Sequence, residues 1–356
     1  MTPVDQVLSL VRPDILALAA YSSARKESKG GRVWLDANEN PETPSAHKPL
    51  LNRYPEPQPA DLVAQLATLY GVAPAQVLVT RGSDEGIDLL LRTFCRAGQD
   101  AILITPPTYG MYVVAAGIQG ARTVTVPLIR DKLFALDTLA VFSAVKADPL
   151  IKLVFLCSPN NPTGQLLGRD IVIQLTRLLL GRAIVVVDEA YVDFAIQSSL
   201  ANVIPANPNL VVLRTLSKAH GLAGARVGTT IADPALIAVL QKVIAPYPVP
   251  TPVLQAALAA LTTAGLAASR ESIATIFFER QRLATALRAL PAVRHVWPSD
   301  ANYLLVEVAD SAKAMSAGRA AGVVWRDRSK DVPHHIRITV GTAEENNATL
   351  EVLSRV

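Results

Sequence analysis

Half of the 356 residues are hydrophobic and 18% are charged, too apolar for a disordered chain and ample for a large core plus a smaller one. The 34 basic and 30 acidic residues nearly cancel, to a net charge of +4, and no block of like charge offers an arm for nucleic acid. Two distant cysteines, Cys95 and Cys157, and five histidines without ligand spacing argue against a metal or a disulfide scaffold and for a reducing cytoplasm.

Neither a basic-then-apolar leader nor an apolar run near the ~18 residues of a membrane span is visible, so no membrane partner is expected. The first stretch reads as an arm or short helix ending in the polar run SSARKESKGG. Residues 35–59, rich in Pro and Asn, read as loop. A βα rhythm then begins. VLVT (77–80), AILITPP (101–107), TVTVP (123–127), KLVFLCSP (152–159), AIVVVDEA (183–190), LVVLRTLS (210–217) and RVGTTIA (226–232) are β-branched runs, most of them separated by helical stretches. Continuous apolar strands imply burial on both faces, hence a mainly parallel seven-stranded sheet inside helical layers. After APYPVPTP (245–252) the pattern changes. A long helical region reaches about Ala289, three strands (NYLLVEV, GVVWRD, HIRITVG) follow, and Thr342 and Glu345 can box a final helix. That is a smaller α+β domain.

Ligands of such sheets bind beyond the carboxyl ends of the strands, and the notable polar residues fall there. TRGSDEG opens a helix with Gly82, Ser83 and Asp84, whose amides make an anion site that Arg226 can share. Asn161 leaves one strand, Asp188 tips the next with Tyr191 behind it, and Ser217 and Lys218 leave a third. Tyr109 sits beside a glycine. A carboxylate closing a buried VVV run needs a cationic partner, and a charge inside the alternating strand IRITV, Arg337, needs an anion. A phosphate cradle, an aromatic face, a carboxylate and one amine match the needs of pyridoxal 5'-phosphate. The G-x-G-x-x-G fingerprint of dinucleotide folds is absent.

SPNNPTG, DEAY and SKAHGLAGARVG, in this order, resemble the fold type I pyridoxal-phosphate aminotransferases. DANENP, LNRYPEPQP, PPTYGMY and IRITVGT extend the likeness to the branch that passes an amino group between histidinol phosphate and 2-oxoglutarate. The resemblance implies that Lys218 anchors the cofactor and shuttles a proton, with Asp188 on the ring nitrogen and Asn161 and Tyr191 on the ring oxygen. Tyr109 would stack on the ring, and Ser83, Asp84, Ser217 and Arg226 would hold the phosphate. Tyr54 would reach the neighbouring subunit's site in a homodimer, while Tyr21, Asn38, Arg326 and Arg337 would bind substrate, the arginines taking phosphate or carboxylate alike. It also implies an arm (1–45) contributing to the small domain, a large cofactor domain (46–250) and a small domain (251–356). This sequence departs from the pattern at Ala20, His220 and Gly221. Competing readings are an aromatic amino-acid aminotransferase or a phospho-amino-acid decarboxylase of the same fold, and a cofactor-binding regulator without turnover.

Overall fold

The computed structural model describes residues 1–19, 33–44, 51–197 and 199–356. Tyr21 lies outside these residues, as does the expected 45/46 boundary. The short β-branched runs become β1 (Val77–Thr80), β2 (Ala101–Ile104), β3 (Arg122–Thr125), β4 (Ile151–Cys157), β5 (Ile184–Asp188), β6 (Leu210–Thr215) and β7 (Gly228–Ile231). They form one sheet in the order β1-β7-β6-β5-β4-β2-β3, parallel except where β7 runs against β1 and β6.

Side chains alternate along each strand, so both faces need covering. Leu153, Phe155, Ile184 and Val186 enter one core, and Val154, Leu156, Val185 and Val187 the other. The helices in chain order are α1 (Pro3–Leu8), α2 (Pro13–Ala17), α3 (Ala60–Tyr70), α4 (Gly82–Phe94), α5 (Met111–Gln119), α6 (Thr138–Ala147), α7 (Arg169–Leu178), α8 (Pro234–Val243), α9 (Thr251–Ala260), α10 (Thr263–Arg288), α11 (Ser311–Ala320) and α12 (Ala343–Ser354). Buried residues of α1, α4, α5 and α8 fill the first core, those of α3, α6, α7 and α9 the second.

The small domain pairs β8 (Val293–Val296), β9 (Tyr303–Val308), β10 (Arg326–Asp327) and β11 (His335–Thr339) in the antiparallel order β10-β11-β9-β8. Thr342 and Glu345 form the expected capping box of α12. His335, which reads as a polar residue at a strand start, is fully buried instead. The indole N–H of Trp297 can only donate, so His335 Nε2 accepts it at 2.9 Å and Nδ1–H donates to the Pro333 carbonyl at 2.7 Å. Burial lowers the pKa of this neutral imidazole.

At the described start of the arm, Val7 and Val11 sit in the first core, and α1 and α2 contact α8. The long helical region is two helices bent by 70°, because Thr262 caps a new start by accepting the Gly265 N–H. The first of them, α9, buries Ala257 in the second core.

Candidate active site

Pairing register brings the polar residues to one edge. Gly228 lies opposite both Thr80 and Thr215, and Cys157 aligns with Asp188, which aligns with Leu213. The loops leaving β1, β4, β5 and β6, and the loop entering the reversed β7, therefore open on one cavity of about 400 Å³. Ser83, Asp84, Tyr109, Asn161, Asp188, Tyr191, Ser217, Lys218 and Arg226 all line it, joined from the small domain by Arg326 and Arg337.

Asp188 is 2% exposed, and burial raises its pKa to about 6. Two donors hold it: the Tyr112 hydroxyl at 2.9 Å and the Ala190 N–H at 3.2 Å. Among the described residues no cation pairs with it. Lys218 is reached from the cleft, with Nζ 5.7 Å from the centre of the Tyr191 ring. Desolvation, then repulsion from Arg337 and Arg226, lowers its pKa. Asn161 Oδ1 accepts Arg337 Nη1 at 2.5 Å, and Arg337 lies 5.3 Å over the ring of Tyr303, whose hydroxyl donates to the Asn160 carbonyl.

At the anion end Arg226 donates weakly to Ser217 at 3.4 Å and pairs with Asp84 at 2.9 Å. Asp84 also accepts the Tyr109 hydroxyl at 3.0 Å. The Asp84 carboxylate therefore orients Arg226 and Tyr109, which leaves its backbone N–H at the start of α4, the group expected from the sequence, to face an anion. Close backbone approach is essential here. A Cβ on Gly228 would lie 2.2 Å from the Gly82 carbonyl carbon, and rigid backbone cannot yield. Gly228→Ala is expected to destabilise the protein by about 1–3 kcal/mol, read from its urea midpoint. Gly117→Ala, in α5 with nothing within 4 Å, should instead gain roughly 0.5–1 kcal/mol.

Two expected residues lie elsewhere. Asn38 and Tyr54 share a separate hollow with Pro250, and Tyr54, half exposed, stacks on Tyr247 at 4.6 Å. Asn38 therefore does not line the cavity of its own chain. Three contributors escaped the sequence reading. Tyr112 closes the motif PPTYGMY, and Cys157 Sγ accepts the Asn161 N–H at 3.4 Å. Arg328 lines the cavity two residues after Arg326, a spacing that puts both on one side of a strand.

A reversed strand in a parallel sheet, with a lysine, a buried aspartate and an anion cradle at one edge, defines a cofactor-dependent transferase of the aminotransferase type. The chain belongs to that family: the aminotransferase class I and II model matches residues 18–353. Among its relatives, the histidinol-phosphate aminotransferase of Stenotrophomonas maltophilia is 50% identical over 99% of this chain and 97% of its own. That of Aeromonas salmonicida is 47% identical over 98% of each. Of solved structures, the histidinol-phosphate aminotransferase of Sinorhizobium meliloti in complex with pyridoxal-5'-phosphate superposes with a TM-score of 0.77 at 26% identity, over 85% of this chain and 82% of that one. The Clostridium acetobutylicum enzyme of the same name reaches 0.78 at 21% identity over 86% and 90%, a likeness of fold.

Proposed function

We propose that the enzyme moves the amino group of L-histidinol phosphate to 2-oxoglutarate, giving imidazole acetol phosphate and L-glutamate, with pyridoxal 5'-phosphate as cofactor. The observation that carries this reading is the placement of Lys218, buried Asp188 and Arg337 on one cavity in a chain half identical to enzymes of that name.

The residues present fit the cofactor. A buried carboxylate lacking a cation suits a protonated ring nitrogen, and Ser83, Ser217 and Arg226 can meet a phosphate. When bound, the cofactor supplies the electron sink that makes a substrate Cα–H acidic. Lys218, its pKa lowered, would take that proton from Cα and return it two atoms away, to the carbon on the far side of the amino nitrogen. Asp188 would keep the ring nitrogen protonated. Asn161 has spent its carbonyl on Arg337, so its amide N–H₂ is left to donate to the ring oxygen beside Tyr191. Tyr109 would lie against the ring, its hydroxyl fixed by Asp84. Arg337 and Arg326 would take the distal anion of either substrate.

Tyr54, exposed and away from its own cavity, is assigned to a neighbouring subunit's site in a homodimer. Cytoplasmic location rests on two buried free cysteines and on the lack, among described residues, of a single helix long and apolar enough to cross a membrane.

The test is a single-turnover panel followed by cofactor absorbance. Histidinol phosphate and glutamate should each react fast, and phenylalanine and tyrosine slowly. Unreacted histidinol phosphate, or carbon dioxide release from a phosphorylated amino acid, sinks the assignment.

A further inference from the structure

One guanidinium in the cleft has no role so far. Arg326 pairs with Arg337 across the β10–β11 ladder, and the Arg328 N–H continues that ladder to the His335 carbonyl at 2.9 Å. Arg326, Arg328 and Arg337 thus line one wall of the cavity. Arg328 has a side chain only 14% exposed, with one end paired to Asp331 at 2.7 Å. Its Nε is buried without a partner among the described residues, and so is Nε of Arg337. Of the three, Arg328 alone has an acidic partner among those residues. Burial and then repulsion from Arg337 and Arg326 act against its charge, Asp331 for it. Buried, unpaired charged donors are costly, so this wall is built to receive an anion.

It carries more charge and more donors than a carboxylate uses. A carboxylate presents one charge and two oxygens, which a single guanidinium fork satisfies. A phosphate ester carries about 1.5–2 charges and three oxygens. We propose that Arg328 is the specificity-determining residue that favours a phosphate over a carboxylate at the distal end of the substrate, Asp331 holding it back when the carboxylate of glutamate occupies the site. This rests on the substrate assignment above.

The test uses Arg328→Gln holoenzyme in the two half-reactions. For histidinol phosphate kcat/KM should fall ~10- to 100-fold, mainly through KM. For glutamate it should stay within about threefold. Competitive inhibition by glycerol phosphate should weaken in parallel with the first, and inhibition by glutarate should not. Arg328→Lys, which keeps the charge beside Asp331, should recover part of the loss. Equal losses with both substrates, or none with histidinol phosphate, overturn the role of Arg328 alone. A wild-type enzyme inert toward histidinol phosphate but active with glutamate overturns the substrate assignment itself.

Discussion

Lys218→Ala is expected to lower turnover by roughly 10⁴-fold or more while leaving the fold intact. The side chain opens onto the cleft, and its contact with Tyr191 is a loose 5.7 Å, so few native contacts are lost. Its removal also relieves repulsion with Arg337 and Arg226. In the cofactor-free protein the thermal midpoint should therefore hold or rise slightly, and a fall of several degrees there would assign Lys218 a structural role instead. The chemistry has no substitute nearby. A guanidinium group makes no general base, and Tyr191, its pKa raised by burial, is a poor base. Borohydride reduction of the wild type should fix the cofactor on the peptide containing Lys218. Label on another lysine would remove this residue from the mechanism.

Asp188→Asn should separate stability from activity. In the folded protein freed of cofactor the carboxyl titrates near 6 rather than near 3.8, because burial penalises its charge. The native state then binds more protons than the unfolded state between about pH 4 and 6. Stability from this group is present at low pH, declines as pH rises through that window, and stays low above it. Asn removes the decline, so above pH 6 the cofactor-free variant should be more stable by on the order of 2–3 kcal/mol, measured by urea unfolding at several pH values. Turnover should nevertheless fall about 10²- to 10³-fold, because a neutral amide does not hold a ring nitrogen protonated. A variant that is both active and no more stable would place no cation against Asp188.

The sheet was legible because its strands are continuous β-branched runs, and burial on both faces leaves few other ways to fold them. β8 was not: in VRHV only Val296 is buried, so no periodic signal exists. The break at Thr262 was visible only as one capping residue within a long apolar stretch. In the site, Lys218, Asp188 and Asn161 could be read because Asp188 ends β5 and the other two lie just beyond the ends of β6 and β4. The ion pair of Asp84 with Arg226 spans 142 positions, and the contact of Arg337 with Asn161 spans 176. Such partners are set by sheet order and domain packing, which no local pattern encodes. Asn38 shows the same limit: a polar loop motif gives composition but not the wall it faces, here a hollow shared with Tyr54 and Pro250.

The reversed direction of β7 has a consequence for how the site tolerates change. Because β6 and β7 form a hairpin with Thr215 opposite Gly228, one loop of the chain carries Ser217 and Lys218 on its outgoing side and Arg226 on its return. The spacing between amine and guanidinium is thus fixed by a local measure, independent of how the two domains lean on each other. Drift in the outer helices or in the small domain can retune what the cleft accepts without changing that internal ruler. A single insertion between Leu216 and Val227 would move both ends at once.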